Sequence, residues 1–259
     1  MQLFDSHCHL DDKVFDGDRD SVLQRAKENH VEGWMTVGVD KSTSLRAVEI
    51  AAATPGCYAS VGVHPHFASH CATATLLFLK SLAAQPCVHA WGETGLDFNR
   101  MLSPRPDQEK WFVRQILAAD SLKLPLIFHE RDSRGRLLDV LRAHTGHQRR
   151  GVVHCFSGNE SELRAYLDLG LCIGVTGILT LKIRGAQLRK LMRYVPADRL
   201  LIETDAPYLT PAPEKNKTRR NEPAFVKSVL LKLAAVRKED PEILARRTLK
   251  NTQWLFDIP

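Results

Sequence analysis

Eight short apolar runs, each followed by an amphipathic stretch, constrain this chain more than any other feature. They fall at Leu3–His7, Gly33–Val39, Tyr58–His64, Val88–Glu93, Pro125–His129, Gly151–Phe156, Leu171–Gly177 and Arg199–Asp205. Runs such as GWMTVGV, PLIFH and RLLIETD are apolar nearly throughout, as parallel strands covered on both faces should be. Helical patterns fill the intervals. Asp18 is expected to cap a helix carrying Val22, Leu23 and Ala26. Ser42 is expected to cap the next, with Leu45, Val48 and Ala52 on one face. Pro106 and Asp107 open a longer one with Trp111, Phe112, Gln115, Ile116 and Ala119 at helical spacing, and Ser133, Asn159 and Gly185 precede three more. Eight such units predict an α/β chain folded as a closed parallel (β/α)8 TIM barrel, one domain spanning residues 1–259. An open doubly wound sheet is the rival, but no G-x-G-x-x-G follows the first strand, so a dinucleotide site has no support.

With 259 residues and 44% hydrophobic composition, the chain can bury one sizeable core. No apolar stretch approaches the roughly 20 residues that span a bilayer, and MQLFDSHCHLDD lacks the basic-then-apolar pattern of a secretory leader. None of the six cysteines forms a C-x-x-C pair, and their spacing suggests no disulfide framework, so a reduced, cytoplasmic chain is expected. A net charge of +6 suits an anionic partner such as nucleic acid, with a basic surface that has no specific partner as the equal alternative. The longest irregular stretch, Ala206–Pro223, follows the eighth strand and is rich in proline and basic residues, a place where a barrel loop is usually functional.

The polar residues recur at strand ends. His7 and His9 stand two apart at the end of the first run, so period-two geometry points both to one face and Cys8 to the other. An H-x-H pair alone also describes two histidines hydrogen-bonded in a turn. The pattern repeats, however, with Glu93 closing VHAWGE, His129 closing PLIFH, His154 closing GVVH and Asp205 closing RLLIETD. Each follows a run that should be buried, where a charged or imidazole group must be paired, hydrogen-bonded or metal-bound. A barrel gathers its strand ends into one ring, which disfavours six unrelated structural groups. Four histidines with two carboxylates match a binuclear metal site with positions left open for water.

The motifs FDSHCHLD, GVHPH, GETGLDF, HERD, HCFSG, ETDAPYL and RRNEP, in that order and running nearly to the terminal NTQWLF, resemble the TatD family of metal-dependent hydrolases, within the amidohydrolase-like barrels. The resemblance implies that His7 and His9 bind one metal, that Glu93 bridges two, and that His129 and His154 bind the second. It implies that Asp205 binds the first metal and helps orient or deprotonate the nucleophilic water. Glu203, two residues before Asp205, should face the same way and either fix a ligand histidine or form a buried salt bridge. His64 ends the third run at a height to touch substrate, whereas His66 is expected at the surface. Arg131 and Arg220 are candidate phosphate contacts, with solvated loop charges as the alternative. Cys155 is expected to point away from the site and serve packing.

Two divalent ions per subunit are expected. Four histidines argue against a dedicated Mg²⁺ cage and suit Zn²⁺ or Mn²⁺ better, while the resemblance implies enzymes assayed with Mg²⁺ or Mn²⁺. It further implies a 3′→5′ exonuclease of single-stranded DNA, with RNA as a further substrate, whose basic loop Lys215–Arg220 would hold the strand electrostatically. Two other functions compete: a metal-dependent ester hydrolase acting as a D-aminoacyl-tRNA deacylase, and a non-catalytic nucleic-acid-binding barrel. The intact ligand set argues against the last. Neither a membrane nor an obligate protein partner is implied.

Overall fold

The computed structural model describes residues 1–144 and 150–259. Its strands are β1 (Leu3–Cys8), β2 (Val31–Val37), β3 (Cys57–Val61), β4 (Val88–Asp97), β5 (Leu126–Arg131), β6 (Gly151–Val153), β7 (Cys172–Val175) and β8 (Leu200–Ile202), parallel and hydrogen-bonded in sequence order. Helices α1 (Arg19–Glu28), α2 (Lys41–Ala53), α3 (Thr73–Leu82), α4 (Arg105–Leu122), α5 (Arg136–His144), α6 (Glu160–Asp168) and α7 (Ala186–Leu191) alternate with them. The short α8 (Ala212–Lys215) and the longer α9 (Val226–Arg237) and α10 (Pro241–Phe256) follow β8. The ring closes just beyond β8: the Asp205 N–H donates to the His7 carbonyl at 2.9 Å and the His9 N–H to the Ala206 carbonyl at 2.7 Å. Thr204 adds bonds from its N–H and its hydroxyl to the buried Asp5 carboxylate. This is the expected (β/α)8 barrel. Among the described residues no helix is long and apolar enough to cross a membrane.

Two apolar layers fill it. Trp34, Trp91 and Phe128 pack outward against helix residues such as Leu79, Phe112 and Ile116. Inside the barrel, Phe4, Met35, Ala90, Ile127, Val152 and Leu201 form a floor, sealed by Leu255, Phe256 and Ile258 at the C-terminal end of the chain. On β5 and β6 and along the β8 line, Ile127, Val152 and Leu201 face the lumen while Phe128, Val153 and Ile202 face outward. The two-residue period then carries His129, His154 and Glu203 into the lumen one step higher.

Strands β1 and β4 do not follow that rule. Phe4 and Ala90 face the lumen, so unbroken alternation would turn His7 and Glu93 outward. The pairing register slips between Asp5 and Cys8 on β1 and between Trp91 and Thr94 on β4. Such an irregularity reverses the parity of everything above it. Cys8 and Leu96 accordingly lie in the outer layer, and His7 and Glu93 turn inward. Gly95, above the β4 slip, has φ +149°, and a Cβ there would lie 2.0 Å from the His129 carbonyl oxygen, so only glycine allows β4 this close to β5.

Several local expectations need correction. Helix α2 is capped by Asp40 in a capping box with Thr43, not by Ser42, because the helix already begins at Lys41. Its buried face is Ser44, Ala47, Val48 and Ala51, and Leu45 is exposed. Asp18 stands at the N-cap of α1 but makes no capping bond, because its carboxylate is held by Arg220. Strand β3 stops at Val61, so His64 lies beyond it and caps a 3₁₀ turn, Pro65–His70, accepting from the His66 N–H at 3.0 Å. Strand β4 instead runs four residues past Glu93, held to β5 by the pairing of Asp97 with Arg131.

Candidate metal centre

Seven side chains meet at the C-terminal mouth of the barrel, the six predicted ligands and His64. His7 Nε2 lies 3.5 Å from Glu93 Oε2 and 3.7 Å from Asp205 Oδ1. His9 Nε2 and His154 Nε2 lie 3.4 and 3.9 Å from that same Asp205 oxygen. The other Glu93 oxygen, Oε1, faces His129 at 2.7 Å, His64 at 3.5 Å and His154 at 3.6 Å. The two oxygens of one carboxylate thus address two different sets of histidines. Three groups with ligand atoms within 4.8 Å of one another result: His7, His9 and Glu93; His7, His154 and Asp205; and His64, Glu93 and His129.

Outer partners orient the rings. His9 Nδ1 lies 2.9 Å from the Val37 carbonyl, which as acceptor fixes the proton on Nδ1 and leaves Nε2 for the cluster. Glu203 Oε1 takes His154 Nδ1 at 2.9 Å and the Cys155 N–H at 2.6 Å, so Glu203 meets a candidate ligand histidine as the sequence suggested. Asp97 was not expected. Its Oδ2 lies 3.3 Å from His129 Nε2 and 2.8 Å from His66 Nε2, while Oδ1 accepts the N–H groups of Asn99 and Arg100. It stands four residues from Glu93 on one strand, and the parity argument that picked out Glu203 would have found it.

The charges support one another. Burial pushes the Glu93 carboxyl up, but His154, His64, the bond from His129 and the neighbouring His7 ring hold it well below the usual carboxylate range. Burial opposes ionisation of Asp205 too, and its bond with His9 lowers it. Against burial, Asp205 holds the His9 imidazole up at about 9, and Glu203 with Glu93 hold His154 up to about 10. Burial lowers His7 and His64, leaving both neutral, the form that ligates metals. His7 is fully buried and neither of its ring nitrogens has a hydrogen-bond partner. Two orphaned nitrogens are costly to bury unless a cation is their partner. Together with the nitrogen and carboxylate donors around it, this fits a divalent metal centre.

A cavity of about 1000 Å³ opens over these groups, walled by His9, His64, Glu93, His129, His154 and Asp205. Arg131 lines it, as does His66, which is half-buried with its ring held by Asp97. Cys155 also lines it, contrary to expectation: its φ of +48° breaks the alternation after His154, and its thiol lies 3.5 Å from the Thr176 hydroxyl. Burial keeps that thiol protonated. Arg220 does not line the cavity. It makes a two-pronged pair with Asp18 at 2.8 and 2.6 Å, and its neighbours Asn221 and Glu222 bind Thr204 and Arg25. The RRNEP segment therefore ties the last loop to the scaffold. Arg100, Arg184, Phe67 and Tyr208, which the sequence did not single out, are on the cavity wall.

Residues 4–257 match the TatD-related DNase family. The 3′-5′ ssDNA/RNA exonuclease TatD of Rahnella sp. is 42% identical, over 99% of this chain and 98% of its own. The crystal structure of a TatD homologue from Escherichia coli superposes with a TM-score of 0.89 at 30% identity, covering 99% of this chain and 98% of that one. A TatD family hydrolase from Entamoeba histolytica gives a TM-score of 0.90 at 26% identity, with 99% and 98% covered. The chain is a member of the TatD family of metal-dependent hydrolases.

Proposed function

We propose that this chain is a 3′→5′ exonuclease that removes 5′-mononucleotides from single-stranded DNA, with RNA as a further substrate. Family membership and the names of relatives at about 40% identity support the reaction. The observation that carries it is Glu93, whose two oxygens face separate histidine sets at the floor of an open cavity. In this reading His7, His9 and Asp205 hold one divalent ion, His129 and His154 hold a second, and Glu93 stands between them. His64, grouped with Glu93 and His129, is a further contact to metal or substrate. Zn²⁺, Mn²⁺ and Mg²⁺ are the candidate ions, and the histidine-rich set favours the first two. Bound there, a pair of ions lowers the pKa of water and stabilises charge on the attacked phosphate.

The chain's own groups do the rest. Asp205 is the more open of the two carboxylates, its side chain 14% exposed against 4% for Glu93, and is placed to accept a proton from the attacking water. Glu203 and Asp97 keep His154 and His129 oriented. Water oxygen joins phosphorus, the bond from phosphorus to the 3′ oxygen breaks, and that oxygen leaves with a proton. The test is metal-replete protein on a 5′-labelled single strand, with and without EDTA. A ladder of shortened strands that chelation abolishes is expected. Intact DNA and RNA strands, with release only of the amino acid from a D-aminoacyl-tRNA, would replace this reading with the deacylase.

A further inference from the structure

The exonuclease reading leaves open which surface holds the strand, and the basic loop Lys215–Arg220 is the obvious choice from sequence. The structure places it poorly for that role. Lys215, Lys217 and Arg219 do not line the cavity, and Arg220 is paired with Asp18. The mouth has cations of its own, distributed unevenly around the ring. The loop after β1 brings Asp11 and Asp12 to the wall beside Lys13, and Arg46 from α2 is already held by Asp16. On the far side, Arg100 follows β4, Arg131 ends β5, and Arg184 follows β7. None of these three guanidinium groups has a hydrogen-bond or ion-pair partner among the described residues. Glu130, the carboxylate next to Arg131, is occupied by the Ser133 N–H at 2.9 Å.

An arginine with no carboxylate partner, on the wall of a site built for phosphate esters, is free to make two-pronged contacts to phosphate. Two aromatic faces are open around the cavity: Phe67, 39% exposed, follows β3 next to this sector, while Tyr208, 54% exposed, stands on the acidic side with its hydroxyl 3.2 Å from Asp12. An open aromatic face such as that of Phe67 suits an unstacked base, as in single-strand binding grooves. We propose that the substrate strand crosses the mouth over the β4–β5–β7 sector, its phosphates held by Arg100, Arg131 and Arg184, and does not run along the loop Lys215–Arg220. The acidic β1 side is then the side that the backbone avoids. This assignment rests on the nuclease reading and names the part of the site that makes it selective for a strand.

The test compares two triple variants as Mn²⁺-loaded holoenzymes. One is Arg100→Ala, Arg131→Ala, Arg184→Ala, and the other is Lys215→Ala, Lys217→Ala, Arg219→Ala. Steady-state hydrolysis and salt-dependent binding are measured on a 15-nucleotide oligothymidylate and on a thymidine dinucleotide. The arginine variant should raise KM for the long strand tenfold or more while kcat changes far less, with a smaller penalty on the dinucleotide. Its log–log salt slope should fall by about 2, at about 0.7 per lost contact on a single strand. Replacing the same three arginines by lysine should retain most of that slope, which separates lost charge from misfolding. If the loop variant loses strand affinity and the arginine variant does not, the assignment is wrong while the exonuclease stands. Equal losses in both also overturn it, because they report diffuse charge. A wild-type enzyme that neither binds nor shortens the strand removes the nuclease reading and this assignment together.

Discussion

The floor and the mouth of the barrel are built on the same eight strands and share one lumen, yet opposite physics governs them. The floor is apolar, packed by Phe4, Met35, Ile127, Val152 and Leu201 and plugged by Leu255 and Phe256. Each side chain there gains from leaving water and asks nothing of its neighbours but shape. The mouth is a buried set of imidazoles and carboxylates. None of these is stable alone, and each is tolerable only because the others, or a cation, answer it. Stability and chemistry are thus separated along the barrel axis by a few residues, as in other barrels whose sites lie at the C-terminal ends of the strands. The boundary has a physical mark: the register slips on β1 and β4 lie between the floor residues Phe4 and Ala90 and the mouth residues above them.

Four substitutions can break or sharpen that contrast. The largest effect is expected at Glu93. Glu93→Gln keeps the shape but removes the charge that both histidine sets face. It should lower activity at least about a thousandfold, beyond the 10- to 100-fold that losing an outer partner of a ligand costs. Circular dichroism should remain that of the wild type. Wild-type turnover at saturating metal would rule out a central role for this carboxylate.

Phe256→Ala addresses the floor. It should cost about 3–5 kcal/mol of stability by opening a cavity in the plug, measured by urea denaturation. Metal bound per folded molecule should stay unchanged. A variant that is folded but loses its metal would show that floor and mouth are not separable. The smallest effect sharpens the picture within the mouth. Asp97→Asn should weaken metal affinity about 10- to 100-fold by loosening His129, and Glu203→Gln should do the same through His154. Competition with a chelating indicator measures both. Were Asp97→Asn silent while Glu203→Gln is not, Asp97 would be only a prop for His66 and the Asn99–Arg100 turn.

Much of this was legible in the chain itself, and the rest was hidden for definite reasons. The barrel could be read because buried parallel strands are apolar on both faces, and the six mouth residues stood out as polar groups closing apolar runs. Residues governed by local alternation, such as His129, His154 and Glu203, were placed by the right argument. His7 and Glu93 reached the lumen for a different reason, since their strands slip register, and a slip has no signature in a single sequence beyond glycines such as Gly92 and Gly95. Cys155 was misplaced because one left-handed residue defeats the alternation rule. Arg220 was misread because its partner, Asp18, lies 202 residues away, and pairing over that distance is a product of the closed ring.

That closure has a consequence for the life of the chain. A ribosome makes His7 and His9 long before Asp205, which faces both. Asp5 and Thr204, which stitch the seam beside them, are 199 residues apart. A nascent chain therefore carries two candidate ligand histidines long before it has the carboxylate that they face. Any product truncated before β8 lacks both the seam and Asp205. Assembly of the group accordingly requires synthesis through β8, and ions that bind only the folded state would stabilise the closed barrel over any product truncated before that strand.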